Sequence, residues 1–358
     1  MKALTFGIQS GDETGKRQAS GGSMRIAILA SLFVASLAST AFADSSGKKI
    51  ALSNNYAGNS WRQAMLASWK KVGDQAVKDK IVAAADSYTT ADKDAPSQAA
   101  QIQNLILQGY NAIVIDAASP EALNGSIKQA CDAGIVVVAF DGLVTEPCAY
   151  KVTINLADVY GAEEIRQIAK RLPSGGNVLY VRGLAGTSID ADITKGVEAE
   201  IAKHPNLKIV ASVNGDWDQT TAQKAVATVL PSLPPIAAVV DQGGDGYGTA
   251  QAFKAANRPT PLIMLGNRQD ELAWWKSMIP SGYNTWSGSE APGMSTFAFW
   301  VAQQILDGKN VPKEVPMNIL TIEQPDVDKY LASTPVGGVA NVEYSQEEVV
   351  KAIAAASK

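Results

Sequence analysis

The sequence predicts an α/β protein of two doubly wound lobes, each built on a parallel sheet, and three observations predict it. The run Ile135-Val136-Val137-Val138-Ala139-Phe140 has no polar face. As a strand it must be covered on both sides, which is the condition of a parallel sheet between helices. The run stops at Asp141-Gly142, a polar pair at a strand's carboxyl end, and open α/β sheets bind ligands outside those ends. The same alternation of strand, polar end and helix runs twice through the chain, once before and once after residue 155.

In the first series, residues 49–53 form a strand ended by Asn54-Asn55. A helix follows at 61–72, with Met65, Leu66, Trp69 and Val72 at helical spacing on one face. Residues 81–85 read as the second strand, ended by Asp86, with Tyr88 just beyond. A helix at 97–107 places Ile102, Leu105 and Ile106 together, and residues 112–115 form a strand ended by Asp116. Pro120 opens the next helix, at a position where proline is tolerated. Residues 135–140 are the fourth strand. One polar strand end is unremarkable, since Asp and Asn cap helices and start turns. Asn55, Asp86, Asp116 and Asp141 together predict a polar rim along one sheet edge.

A fifth strand at 152–155 ends the first series. In the second, strands at 177–181, 209–213, 236–240, 262–265 and 284–286 are followed by Arg182-Gly183, Asn214-Gly215-Asp216-Trp217, Asp241-Gln242-Gly243-Gly244-Asp245, Gly266-Asn267-Arg268 and Ser287. No long proline- or glycine-rich linker marks the join near Asn155, so strands are expected to run directly between lobes. A helix at 293–306 and a strand at 318–322 are expected to return to the first lobe, and a terminal helix occupies 349–355. The expected lobes are residues 48–153 with about 288–322, and residues 154–287 with about 323–358.

Composition narrows the function classes. Of 358 residues, 46% are hydrophobic and 18% charged, the balance of a folded globular chain. Thirty-one basic residues face 35 acidic ones and form no cluster, which sets nucleic acid aside as a partner. The one histidine, His204, precedes Pro205 and reads as a solvated helix end, so histidine-based catalysis or metal binding has little support. Met24-Arg25, the apolar stretch 26–37 and Thr40-Ala41-Phe42-Ala43 form a secretory signal peptide, with cleavage expected after Ala43. Its apolar core is too short for a permanent anchor. Residues 1–23 read as an over-extended gene start or added sequence. A periplasmic location, without a lipid anchor, follows. In that oxidising compartment the even pair Cys131 and Cys148 favours a disulfide, worth about 3 kcal/mol for a loop of this size. Two buried free thiols are the alternative.

The chemistry points to binding. Paired carboxylates such as Asp86 and Asp116 would suit glycoside hydrolysis, but no nucleophile-elbow or phosphate-loop motif accompanies them. The stretch Gly243-Gly244-Asp245-Gly246-Tyr247-Gly248 lacks the spacing of a dinucleotide loop. No cofactor is called for. A sugar or polyol, by contrast, offers hydroxyls that carboxylates and amides match, and an apolar C–H face that suits an indole ring. Trp61 and Trp217 each follow a strand, in different lobes; core packing is the alternative for each, weaker for Trp217 in its polar Asn-Gly-Asp-Trp-Asp loop. Trp274 and Trp275 read as packing residues.

The segments Asn54-Asn55, 102–109 with Asn111-Ala112-Ile113-Val114-Ile115, Ala133-Gly134-Ile135 through Asp141, and Gly186-Thr187-Ser188 together give the chain a family resemblance. Over residues 48–325 it resembles the type I periplasmic sugar-binding proteins of ABC transporters, the ribose/xylose-like group. The resemblance implies two Rossmann-like lobes, three hinge crossings, a monosaccharide or sugar alcohol enclosed on closure, and a membrane permease as partner of a monomeric, non-enzymatic protein. By position, Asp141 matches a sugar-hydroxyl aspartate, Trp217 a stacking aromatic, and Gln242 and Asn267 polar ligand positions. Asn55, Asn59 and Trp61 fall in the first-strand loop. Where many members carry an arginine beyond Gly-Thr-Ser, this chain has Ile189-Asp190-Ala191-Asp192. Asp190 is then expected to take over, or Arg62 or Arg268 to supply a guanidinium. Tyr88, Asp116, Asn155 and Asp245 complete the expected ligand contacts. Competing readings are a LacI-like effector domain, opposed by the signal peptide; a chemoreceptor or autoinducer sensor of the same fold; and a secreted carbohydrate-active enzyme.

Overall fold

Twelve strands and eleven α-helices alternate along the chain in the computed structural model, which describes residues 44–91 and 94–358. The expected signal peptide lies outside the described residues. The strands are β1 (Lys49–Asn54), β2 (Ala84–Thr89), β3 (Ala112–Asp116), β4 (Val136–Ala139), β5 (Tyr150–Thr153), β6 (Gly176–Arg182), β7 (Leu207–Asn214), β8 (Ala238–Asp241), β9 (Leu262–Ile263), β10 (Ser287–Ser289), β11 (Glu314–Pro316) and β12 (Leu320–Ile322). The helices are α1 (Ser60–Lys78), α2 (Ala95–Leu107), α3 (Asn124–Asp132), α4 (Glu163–Arg171), α5 (Ser188–Ile201), α6 (Gln219–Val229), α7 (Gly246–Ala255), α8 (Gln269–Met278), α9 (Met294–Leu306), α10 (Val327–Ser333) and α11 (Gln346–Ala356).

The first sheet runs β11-β5-β4-β3-β1-β2, all neighbours parallel. Its central strands are fully buried: Ile50, Leu52, Val114 and Val138 pack under α1, α9 and α11, while Ala51, Ile113, Ile115 and Val137 pack under α2 and α3. That two-sided burial explains why these strands read as unbroken apolar runs. The second sheet runs β7-β6-β8-β9, also parallel, with α4 and α5 on one face and α6, α7, α8 and α10 on the other. In both sheets the strand order reverses direction next to the first strand of the series, at β1/β3 and at β6/β8. Doubly wound sheets bind their ligands at such reversals.

Polar side chains start the helices where the sequence changes period. Asn59 accepts from the Arg62 amide at 2.8 Å, Asp94 from Ser97, Thr187 from Asp190 and Asp218 from Thr221, and Ser345 forms a capping box with Glu348. Cys131 at the end of α3 and Cys148 before β5 are joined as a disulfide, their Cα atoms 6.4 Å apart.

Four readings are corrected. The strand expected at 318–322 in the first lobe is β12, whose Leu320 and Ile322 pack in the core of the second sheet. Strand β2 spans Ala84–Thr89, so Asp86 pairs with Ala51 in mid-strand and is not at the rim. The strand expected at 284–286 lies later, at Ser287–Ser289, paired antiparallel with β12. Helix α11, expected with the second sheet, packs its Val349 and Ile353 into the core shared by α9 and the first sheet. Besides passages near 155, 290 and 318, the chain therefore passes a fourth time between sheets, from Ala340, bonded to Asn267, to Tyr344, packed on Phe297. Edge strand β11 was unforeseen, because its Glu-Val-Pro sequence carries no strand signal and proline is tolerated only at such an edge.

Candidate ligand-binding site

Two adjoining cavities open between the carboxyl ends of the two sheets. The inner one, about 90 Å³, is lined by Asn59, Trp61, Arg62, Asp141 and Glu290 from one side and by Tyr160, Ile189, Trp217, Gln242, Gly244 and Arg268 from the other. The other, about 660 Å³, adjoins it, with Asn55, Asp116, Ser188, Asp216 and Asp218 on its walls. Asn59, Arg62, Ile189, Trp217 and Arg268 border both.

The first-sheet wall is built around one guanidinium. Arg62, in the first turn of α1, is ion-paired with Asp116 and, at 2.6 Å, with Asp141. Asp116, fully buried at the end of β3, also accepts from the Asn55 amide and the Gly142 backbone N–H, each at 3.3 Å. Asp116 therefore orients its neighbours. Asp141 stands in a left-handed conformation (φ 53°), which turns it from the strand end toward the cavity it lines. Trp61 donates its indole N–H to the Glu290 carbonyl at 2.7 Å and stacks under the Arg62 guanidinium, 4.8 Å from the ring. Burial, with the Asp141 charge beside it, holds the Glu290 carboxyl well above the usual range.

The second-sheet wall is built on loops of unusual backbone. Asp216 and Trp217 are consecutive left-handed residues, both with φ 56°, a conformation costing about 1–3 kcal/mol each for non-glycine residues. The turn is pinned by the Gly215 and Asp216 amides donating to the Arg182 carbonyl at 2.7 and 3.3 Å. It lays the Trp217 ring on Gly183, where a Cβ would come within 2.2 Å of the indole. Beneath this wall lies a group of buried acids. Glu271 accepts from the amides of Gly246, Gly266 and Arg268 at 2.9–3.0 Å, tying two cavity loops together. Burial, then the Asp241 charge, pushes Glu271 up to about 7. Burial and Asp241 likewise hold Asp245 well above its usual range.

Several expected contacts are used elsewhere. Asp190 is held by Arg182 at 2.6 and 3.1 Å and by the Gln242 amide at 2.9 Å, and it lines neither cavity. Gln242 reaches the inner cavity, but its amide donates to Tyr180 and Asp190 while its oxygen accepts from Gly183. Asn267 accepts from Ser287 and donates to the Leu320 carbonyl, locking a turn. Asp245 is buried with the acids below the loop. Asn155 is exposed at the passage between sheets and accepts from the Asp158 amide. Tyr88 bonds Tyr110 on the outer edge of the first sheet. Conversely, sequence reasoning missed Tyr160 and Glu290. The signal for Glu290 was its place just after a strand, obscured because that strand was set too early. Among the described residues, no group of three or more His, Cys, Asp or Glu is arranged to hold a metal ion, and no helix is long and apolar enough to cross a membrane.

A family profile described as a periplasmic binding protein domain matches residues 50–310. The chain belongs to the periplasmic binding protein family. This periplasmic binding protein is 34% identical to an ABC transporter solute binding protein from Thermobispora bispora DSM 43833, with a TM-score of 0.79 over 87% of this chain and 96% of that one. It is 28% identical over 247 residues to the xylitol-binding protein of Mycolicibacterium smegmatis, covering 67% of this chain and 69% of the relative. A 26% identity over 245 residues links it to the D-ribose/D-allose-binding protein of Pseudomonas aeruginosa, over 64% of this chain and 76% of that one. A Bacillus halodurans solute binding protein with bound myo-inositol shares the fold, with a TM-score of 0.68 at 20% identity, over 81% of this chain and 99% of that one. These relatives are binding proteins and not enzymes. Family membership places the protein among exported proteins.

Proposed function

We propose that this periplasmic binding protein, processed after Ala43, captures a monosaccharide or sugar alcohol in the inner cavity and delivers it to an ABC transporter permease. The observation that carries the proposal is the cavity wall itself: indole rings from both sides, Trp61 and Trp217, together with the Asp141 and Glu290 carboxyl groups. Rings suit the C–H faces of such a ligand, and a pair of carboxyl groups supplies hydrogen-bonding partners to its hydroxyls. The two guanidinium groups of the walls, Arg62 and Arg268, match the two carboxylates Asp116 and Asp141, so the cavity asks for a neutral guest. The names of the relatives, binding xylitol and ribose or allose, support the same class.

In this reading Asp141, Trp61 and Trp217 touch the ligand, Asn59 and Asn55 shape the entry, and Arg62 and Asp116 hold Asp141 in place. The lobes are residues 48–153 with about 290–316 and α11, and residues 154–287 with about 320–340. They close as rigid bodies about the passages between them, and the protein works as a monomer. Closure buries hydroxyls against groups that are costly to leave unpaired, which gives stereochemical selectivity.

The test is thermal denaturation of the chain from Asp44 onward against pentoses, hexoses and their alcohols. A guest at about 100 times its dissociation constant stabilises by about 2.7 kcal/mol. One or two strong shifts, absent in Asp141→Ala and Trp217→Ala, are expected. Unchanged melting with every carbohydrate and polyol overturns the proposal.

A further inference from the structure

Arg268 spans the cleft. Its backbone is fixed on the second-sheet side, where its amide donates to Glu271 at 3.0 Å and its strand bridge pairs with Val339. Its guanidinium lies on Gly244, at which a Cβ would sit 2.5 Å from Nε, so only glycine leaves it room. From there Nη2 donates to the Trp217 carbonyl at 2.7 Å, and Nη1 reaches across to Ser60 Oγ, also at 2.7 Å. Ser60 is the first residue of α1, on the first-sheet side, 208 positions away in sequence. Helix α1 is already capped by Asn59, which leaves the Ser60 hydroxyl to serve as acceptor here. The contact stands where the two cavities adjoin, since Arg268 borders both.

We propose that Arg268 is the latch of the cleft: a positioning residue that, braced on its own side by the Trp217 carbonyl, holds the two sheets closed through Ser60. The latch goes beyond the sugar reading, because it requires no particular guest, though it rests on the two lobes moving as separate bodies. A protein that populates its closed form before binding loses less affinity to the conformational change.

The test is an interlobe distance distribution in ligand-free protein, with spin labels on Lys128→Cys and Lys224→Cys, both exposed lysines on opposite sides of the cleft. The native cysteines are bonded to each other and take no label. Arg268→Ala is expected to raise the ratio of long-distance to short-distance populations by about 10-fold or more, the worth of a hydrogen bond to a charged group. Ser60→Ala should shift it in the same direction, the double variant no further than Arg268→Ala alone, and Arg268→Lys should restore part of the short-distance population. Melting curves that stay cooperative show that the variants fold. Distributions unchanged in both Ser60→Ala and Arg268→Ala overturn the latch, whatever the carbohydrate panel gives. A panel without hits, with these shifts present, overturns only the sugar reading.

Discussion

Arg62 sets the terms at the scale of single residues. It is the one cation between two buried carboxylates, Asp116 and Asp141. Removing one member of a buried ion cluster strands the others in a poorly solvated place, which costs about 3–5 kcal/mol. Arg62→Ala is expected to lower stability by that amount in urea unfolding and to weaken guest binding. Asp116→Asn, which keeps the shape, should cost less. Asp116, Asp141 and Trp217 were legible in sequence because each ends or follows an apolar run and so must stand at a sheet edge. Asp86 misled, because Ala-Ala-Ala-Asp has no period, and the edge strand β2 continues through it to Thr89. Asp190 and Asn267 differ from these in being engaged within the protein. Position at a rim says that a polar group is near the cleft, not that it is free, and these two are consumed by Arg182 and by Ser287 with Leu320.

At the scale of elements, the helices that carry cavity residues depend on local devices. Asn59 caps α1 and so fixes the turn that presents Trp61 and Arg62. Asn59→Ala should cost about 1 kcal/mol in thermal unfolding and a further loss in guest affinity, because the same turn sets Arg62. The bridge between Cys131 and Cys148 ties the end of α3 to the entry of β5, closing a separation of 17 residues. Replacing both with serine should cost about 3 kcal/mol in the chain-entropy picture, read as a lower urea midpoint. Helix and strand identities were legible because buried parallel strands and one-sided helices leave different periods. Strand β11 and the partner of α11 were not, since a three-residue edge and a mixed helix carry little local information about where they dock.

For the whole molecule, the buried acids of the second sheet dictate a pH dependence. Glu271 is raised from 4.5 to about 7 by burial, so between those values the folded state holds a proton that the unfolded chain has released. That contribution is present below about pH 4.5 and is lost as pH rises toward 7, amounting to about 3 kcal/mol in all. Raised Asp245 and Glu164 act in the same direction. The lowered carboxyls, among them Asp218 and Glu348, titrate below this range. Unfolding free energy should therefore fall between pH 5 and 7.5. Glu271→Gln should flatten that slope while lowering stability throughout, because an amide leaves one of three backbone donors without an acceptor. A slope unchanged by the substitution would show that Glu271 titrates elsewhere.

The first sheet also has an order of assembly built into it. Its strands β1 to β5 come early in the chain, but the helices that cover one of its faces, α9 and α11, and its edge strand β11 come from residues beyond 290. The second sheet draws its strands and most of its helices from one unbroken stretch between them. During synthesis the first sheet is begun first and finished last. Until α9 has been made, Leu52, Val114 and Val138 have only α1 on that face, and a chain stopped before α11 leaves its oldest strands the least protected.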